Sequence, residues 1–180
     1  MDRLQRGAIL IALADALRRQ GSWCGETHLQ KATYFLQHLM EVPLEYDFIL
    51  YKHGPFSFDL RDELTALQSD QLLELRPQPI PYGPSLLPTA ASVEFRERYP
   101  RTLGTHQRSV DFVARKLGDK GVSELERLAT ALYVTRQMTD ADAEARARRI
   151  NELKPHVSLD EARQAVASVD RLKEEAASLS

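Results

Sequence analysis

The amino-acid sequence predicts a mainly α-helical fold with a small β-hairpin or sheet. Apolar residues recur at helical spacing before residue 40, a proline-rich turn near residue 80 separates two short runs of strand character, and the pattern after residue 90 is entirely helical. We therefore expect a winged-helix-like lobe over residues 1–90 and a helical lobe over residues 91–180 packed on it. At 180 residues the two lobes would form a single compact domain.

Two amphipathic helices open the chain. Over residues 3–20, leucine and alanine residues recur at steps of three and four, and Gly21 ends the stretch. A second helix is expected to end near Met40, with Thr27 as the candidate N-cap. Both helices present an apolar stripe, so both are expected to contribute to the core.

An extended segment and a third helix follow. Residues 44–52 are rich in aromatic and apolar side chains, which favours a strand. The turn at Gly54 and Pro55 is expected to break this strand. Ser57 is a good N-cap for a third helix that reaches about Ser69.

Two brief strands are expected next, at residues 72–76 and 85–87. The bridge between them, residues 77–84, contains four prolines and one glycine, a composition that favours a turn over a helix. This hairpin follows the third helix directly, and it could therefore serve as the wing of a winged helix.

The remainder of the chain is predicted to be helical. Capping-box spacing of Ser or Thr with Glu three residues later occurs twice, at Ser123 with Glu126 and at Ser158 with Glu161. Pro100, Gly104, Gly118 and Gly121 are expected to separate the earlier helices. The expected helices lie near residues 91–98, 105–117, 123–138, 140–153 and 158–177.

Composition indicates a cytoplasmic protein with no membrane partner. The first apolar stretch is broken by Asp15 and Arg18, so it is too short for a membrane span and has no export-signal character. Cys24 is the only cysteine, which excludes an intrachain disulfide and agrees with a reducing compartment. The formal net charge is −2, so any surface for nucleic acid would have to be local.

No catalytic or cofactor-binding motif is evident, and we expect no enzymatic activity, no cofactor and no metal. The five histidines are scattered and form no metal-ligand spacing. Cys24 and His28 could act as a thiol and its base, but a lone cysteine beside Trp23 is more often a small buried apolar residue. Acids on the third helix, such as Asp59 and Asp62, are more often solvated charge than an acid–base pair.

Several short motifs are distributed along the chain: Leu29-Gln30-Lys31, Tyr34-Phe35, His53-Gly54-Pro55-Phe56-Ser57 and Leu60, with Leu128-Ala129 and Lys154-Pro155-His156-Val157-Ser158 in the second half. The first four resemble the Panacea or SocA-like family, and the last two also match its YwgA-like branch. The Leu-Gln-Lys and Gly-Pro-aromatic signature is similar to that of the toxin-binding C-terminal domain of DarG-type antitoxins. The resemblance implies a non-enzymatic antitoxin or accessory protein of a toxin–antitoxin system, with no inherited catalytic residue.

The third helix is the candidate partner-binding element. If Leu60 and Leu64 face inward, an aromatic ring and acids face outward. Over residues 57–70 four acids oppose only one cation, giving −3, which would repel DNA and attract a basic, nucleic-acid-acting protein such as a toxin. The alternative is that the C-terminal helices cover the ring. The candidate partner-binding residues are Phe58, Asp59, Arg61, Asp62 and Thr65.

The rival hypothesis is a winged-helix transcriptional regulator that binds DNA. About 16 residues separate the second and third helices, whereas a helix-turn-helix uses 3 to 4, so the standard reading geometry is disfavoured. Cations exceed acids by three over residues 94–120, although such charge is more often a solvated helix surface. The candidate nucleic-acid-binding residues are Arg96, Arg98, Arg101, Arg108, Arg115 and Lys116.

Overall fold

The computed structural model describes residues 1–179 and confirms the mainly α-helical fold with a small β part. Among these residues, eight helices and two antiparallel two-stranded sheets form. The elements are α1 (Arg3–Arg19), α2 (Glu26–His38), β1 (Ile49–Tyr51), β2 (Gly54–Phe56), α3 (Phe58–Ser69), β3 (Leu73–Arg76), β4 (Ser85–Pro88), α4 (Ala91–Glu97), α5 (Pro100–Leu117), α6 (Val122–Gln137), α7 (Ala143–Leu153) and α8 (Leu159–Ala177).

The elements group into two compact units that alternate along the sequence. Unit 1 contains Met1–Phe48 and Ser57–Lys120, and unit 2 contains Ile49–Phe56 and the chain from Gly121 onward. Helices α4 and α5 belong to unit 1, which therefore extends beyond the expected lobe boundary at residue 90. Unit 2 takes the β1–β2 sheet from the N-terminal half of the chain.

Helix α1 lies at the centre of unit 1. Its side chains are buried from Gly7 to Leu17 apart from Asp15, and it contacts α2, α4, α5 and β4. Asp2 begins the helix with a capping box, because its carboxylate accepts from the Gln5 amide at 2.8 Å and the Gln5 side chain accepts from the Asp2 amide at 3.1 Å. A helix buried on nearly all sides is the core of its unit.

The predicted third helix and hairpin are both present. The Ser57 hydroxyl accepts from the Leu60 amide at 3.2 Å, so Ser57 is the N-cap of α3, as expected. The β3–β4 hairpin pairs antiparallel with Leu75 opposite Leu86, within one residue of the predicted strand limits. The Leu86 amide also donates to the Cys24 carbonyl at 2.8 Å, which attaches the hairpin to the loop before α2.

The prediction of one strand over residues 44–52 is wrong. Only Ile49–Tyr51 is a strand, and the turn that follows leads into a second strand, which pairs Phe56 with Ile49. Residues 44–48 stay outside a sheet because the side chain of Gln37 occupies the hydrogen-bonding groups of Tyr46. The Gln37 amide donates to the Tyr46 carbonyl at 2.9 Å, and its carbonyl accepts from the Tyr46 amide at 2.9 Å.

Four predicted helix starts are also wrong, one of them that of α7, which begins at Ala143 after its N-cap Asp142 and not near residue 140. Helix α2 begins after Gly25 and α6 after Gly121, so Thr27 and Ser123 lie inside the first turns and do not cap them. Helix α5 begins at Pro100, where the missing proline N–H is tolerated, and continues through Gly104. The capping box of Ser158 is confirmed, since its hydroxyl accepts from the Glu161 amide at 3.2 Å.

Helices α6, α7 and α8 pack together in unit 2. The predicted apolar stripe of α8 is buried, including Ala162, Val166 and Val169 at 0% exposure. A bidentate ion pair joins α7 to α8, with Arg146 donating to both carboxylate oxygens of Asp170 at 2.8 Å. Across residues 1–179, no helix has both the length and the apolar character that a bilayer-crossing segment requires.

Candidate protein-binding surface

The predicted partner-binding residues share the exposed side of α3, which we call the α3 face (Phe58, Asp59, Arg61, Asp62 and Thr65). All five side chains are exposed, and Phe58 retains 41% of its accessible surface. On the opposite side of the helix, leucines such as Leu60 and Leu64 are almost completely buried, as the helical wheel predicts. The alternative in which Phe58 is covered does not describe this structure.

The centre of the α3 face combines an aromatic ring with a cation. The guanidinium carbon of Arg61 lies 5.0 Å from the centroid of the Phe58 ring, within the range of a cation–π interaction. Arg61 also approaches the Asp62 carboxylate at 3.4 Å, and the Thr65 hydroxyl donates to the Arg61 carbonyl at 3.0 Å. The exposed ring therefore lies beside groups that hydrogen-bond and carry charge of both signs.

The α3 face is less acidic than the sequence suggests. Arg3 of α1 forms ion pairs with Glu63 at 3.1 Å and with Asp70 at 3.2 Å, and the negative charge of Glu63 is the main cause of a raised pKa for the Arg3 guanidinium. Arg3 cancels one of these two negative charges, so residues 57–70 together with Arg3 carry −2. On the α3 face itself, Asp59 and Asp62 oppose the single cation Arg61, which leaves −1. Charge alone is therefore a weaker attraction than the −3 expected.

Gln30 joins helix α2 to the start of α3. Its side-chain amide donates to the Ser57 carbonyl at 2.9 Å, and its side-chain carbonyl accepts from the Ser57 amide at 3.0 Å. Both residues are 0% exposed, as is Leu29, and Lys31 is 1% exposed. Within the Leu29-Gln30-Lys31 motif, Gln30 thus has a structural role, because it supplies hydrogen-bond partners for the backbone amide and carbonyl of Ser57, where α3 begins.

Gly54 occupies a position in unit 2 where a side chain would be strained. Its φ of +85° lies in the left-handed region, and a Cβ atom would come within 3.1 Å of the Thr130 hydroxyl. The adjacent Pro55 is buried, and the Phe56 ring lies 5.8 Å from that of Tyr51. The Gly-Pro-Phe part of the motif therefore shapes the tight β1–β2 hairpin against α6.

Sequence reasoning missed a polar cluster around Glu126 in unit 2. The Lys154 ammonium donates to the carbonyls of Tyr51 and Lys52 at 2.7 and 2.6 Å and lies 3.5 Å from the Glu126 carboxylate. Glu126 and Lys154 are 7% exposed, whereas the side chain of His156, 3.3 Å from Glu126, is 62% exposed. The cluster attaches the β1–β2 turn to α6 and to the end of α7.

The only sequence signal for this cluster was the presence of His53 and Lys154 within two of the motifs. His53 also approaches Glu126, at 3.8 Å, from the β1–β2 turn. Residues 1–179 contain no group of three or more histidine, cysteine or acidic side chains arranged to hold a metal ion. The contacts of Lys154 with the β1–β2 turn and with Glu126 of α6 hold these segments together, so we assign the Glu126 cluster a structural role.

Cys24 and His28 do not form a nucleophile–base pair. Burial raises the pKa of the Cys24 thiol to about 12, so the reactive thiolate is disfavoured. His28 donates through Nε2 to the Leu117 carbonyl at 2.8 Å, and its Nδ1 pairs with the Ser22 hydroxyl at 2.8 Å. Both ring nitrogens of His28 are thus engaged in the core, where burial lowers its pKa.

The predicted nucleic-acid-binding residues fall into two groups. Arg96 forms an ion pair with Asp15 at 3.3 Å, Arg98 forms one with Glu94 at 2.8 Å, and Lys116 lies 5.8 Å from the centre of the Phe112 ring. The other three are exposed on α5 and make no ion pair within residues 1–179. These are Arg101, Arg108 and Arg115.

Comparison with known proteins adds no functional assignment. No protein-family model matches the chain, and a comparison with curated proteins also gives no match. The resemblance to the YwgA-like branch of the Panacea family accordingly stays a prediction, and function is inferred from the geometry of the described residues.

Proposed function

We propose that the protein is a non-enzymatic, cytoplasmic binding protein, of the antitoxin or toxin-neutralising kind, that docks a basic, nucleic-acid-acting protein on the α3 face. The observation that supports this proposal most directly is the exposed ring of Phe58 on a helix that is firmly held by its other side. Aromatic and arginine side chains are the residue types that most often dominate protein–protein binding energies.

The helix offers a preorganised platform. Ser57 caps its N-terminus, Gln30 fixes the backbone at Ser57, and buried leucines hold its inner side. A partner that binds such a surface does not have to order it first, which lowers the entropic cost of association.

The composition of the α3 face favours a partner with both an apolar pocket and positive charge. Phe58 would fill the pocket, and Asp59, which makes no ion pair within residues 1–179, is available to a cation of the partner. Because the face carries only −1, charge would mainly select and orient the partner, whereas burial of the ring would supply most of the affinity.

The test is coexpression of the full chain with the product of each adjacent gene that encodes a basic, nucleic-acid-acting protein, followed by size-exclusion chromatography to detect co-elution. We expect a complex that Phe58→Ala weakens by about 30-fold, the effect of losing a residue that contributes about 2 kcal/mol. Asp62→Arg should weaken it as well, because it reverses a charge at the centre of the face.

Two matched variants act as controls. Ile80→Ala removes an apolar side chain that is 97% exposed on the β3–β4 turn, and Asp140→Arg reverses an exposed acid before α7. Both should leave the complex intact. Absence of a complex, unchanged co-elution of the α3 variants, or equal loss with the controls would each contradict the proposal.

The alternative, a winged-helix DNA-binding transcriptional regulator, is less well supported. A recognition helix in that position would be α3, which exposes Asp59 and Asp62 to the phosphates it would have to approach. Strands β1 and β2 also lie between α2 and α3 in the sequence, where a helix-turn-helix has only a short turn.

A further inference from the structure

Three arginines of α5 form a continuous exposed row. Arg101, Arg108 and Arg115 are seven residues apart, almost two helical turns, so they lie on one side of the helix at intervals of about 10.5 Å over about 21 Å. We call them the arginine row. All three are exposed and none makes an ion pair within residues 1–179, although most other arginines of the chain are paired with acids.

Few acids oppose the arginine row. Helix α5 contains four cations and one acid, Asp111, which gives the helix +3. Asp111 accepts a hydrogen bond from Gln107 at 2.9 Å and forms no ion pair with the row. His106 adds no positive charge near neutral pH, because burial lowers its pKa. The exposed side of α5 therefore concentrates positive charge in a protein whose net charge is −2.

A glycine lies on the same side of the helix, between the first two arginines. Gly104 is exposed, its φ is not left-handed, and no atom lies within 4 Å of the position of a Cβ. Neither backbone conformation nor packing therefore requires a glycine here, although glycine weakens a helix interior. Close approach of a ligand to the helix backbone is a physical reason for its presence.

We propose that the arginine row and Gly104 bind the phosphate backbone of double-stranded DNA without reading its sequence. Guanidinium groups are the preferred partners of phosphate, and the major groove of B-form DNA admits an α-helix. Single strands are bound largely by stacking on aromatic rings, and none of the exposed residues of α5 is aromatic. The deep, narrow major groove of A-form RNA excludes a helix.

This surface is separate in sequence from the α3 face and does not depend on the proposed protein partner. Neither Arg96 nor Arg98 belongs to it, because acids of the chain already neutralise both. The absence of sequence readout follows from the side chains that the row presents. Guanidinium groups bind phosphates, which carry no sequence information, and Gln107, the one exposed amide side chain of α5, is bonded to Asp111.

The test is fluorescence anisotropy of a labelled 30-base-pair duplex titrated with the full chain between 50 and 200 mM salt. Three phosphate contacts predict a slope of about −2.7 for log K against log salt, and therefore about a 40-fold loss of affinity over this range. The unlabelled single strand and an RNA duplex of the same sequence serve as competitors, and both should compete less well than duplex DNA.

The decisive variant is the triple change Arg101→Gln, Arg108→Gln and Arg115→Gln, which should lower affinity at 50 mM salt at least tenfold and bring the salt slope close to zero. Its matched control is Arg18→Gln, Arg136→Gln and Arg171→Gln, which removes the same charge from exposed arginines that also lack ion pairs. The control should stay within twofold of the wild type. No binding by the wild type, equal loss in both triple variants, or stronger competition by single strand or RNA overturns the proposal.

Discussion

Removal of the Gln30 side chain is expected to destabilise the protein strongly. In Gln30→Ala, the amide and the carbonyl of Ser57 both lose their partners at a site where Gln30 and Ser57 are completely buried. A buried polar group left unsatisfied costs about 1–3 kcal/mol, so the two together predict a loss of about 2–6 kcal/mol in the free energy of unfolding. Urea denaturation followed by circular dichroism measures this loss directly.

Gln37 provides a matched control on the same helix. Its side chain makes the same reciprocal pair of hydrogen bonds with the backbone of Tyr46, both at 2.9 Å, but Gln37 is only half-buried. In Gln37→Ala, water can replace the side chain, so only the net value of two hydrogen bonds is lost, about 1–3 kcal/mol. The two backbone hydrogen bonds have nearly the same length in both cases, and the additional contact of the Gln37 amide with His38 Nε2 at 3.1 Å could only increase the loss in the control, so a larger loss in Gln30→Ala reports burial.

We expect Gln30→Ala to cost at least about 1 kcal/mol more than Gln37→Ala. Equal losses, or a smaller loss for Gln30→Ala, would refute the reasoning, because they would mean that the Ser57 backbone finds other partners. Such a result would also remove the basis for treating the start of α3 as preorganised.

Three further predictions concern stability. Lys154→Met leaves the Glu126 carboxylate buried without its cation, so it should lower the free energy of unfolding by about 3–5 kcal/mol, measured by urea denaturation. Adding Glu126→Gln should restore part of this loss. If it restores none, the Glu126 cluster does not stabilise the protein in the way described. Burial lowers the pKa of His28 below its unfolded value, so the unfolded chain binds more protons than the folded protein as pH falls through about 6.5. The urea midpoint should therefore drop between about pH 7.5 and 5.5, and it should drop less in His28→Asn. Equal drops in the two proteins would exclude His28 as the cause. Gly104→Ala should raise stability by about 0.5–1 kcal/mol, seen as a higher Tm, and a lower Tm would show that Gly104 is needed for folding.

Local signals in the sequence were sufficient for most of the fold. The N-caps at Ser57 and Ser158 were predicted because each depends on a hydrogen bond to a residue three positions away. The predictions of N-caps at Thr27 and Ser123 were wrong, because in both cases the helix begins directly after a glycine. Because α6 begins at Val122, Ser123 lies inside its first turn and Glu126 contacts Lys154 instead of closing a capping box.

Long-range polar contacts account for what could not be predicted. The acidity of α3 was overestimated because Arg3, 60 residues or more away in the sequence, pairs with both Glu63 and Asp70 and cancels one of their two negative charges. Residues 44–48 have the composition of a strand but lie outside a sheet, and the Gln37 side chain occupies the backbone amide and carbonyl of Tyr46 at their centre. The helical period predicted that Phe58 points away from the buried leucines, but it left open whether other helices cover the ring, and only the structure shows that 41% of Phe58 is exposed.

The placement of β1 and β2 in unit 2 has a consequence for dissecting the protein. Lys154 is buried and donates to two carbonyls of the β1–β2 turn, which the chain contributes from about a hundred residues earlier. If the chain is cut near residue 120, the C-terminal fragment contains Lys154 without the carbonyls that accept from it. The N-terminal fragment contains the β1–β2 hairpin without α6 and Lys154. Neither unit can be separated by a single cut in the chain. Any activity should therefore be mapped with point substitutions in the intact chain and not with deletions.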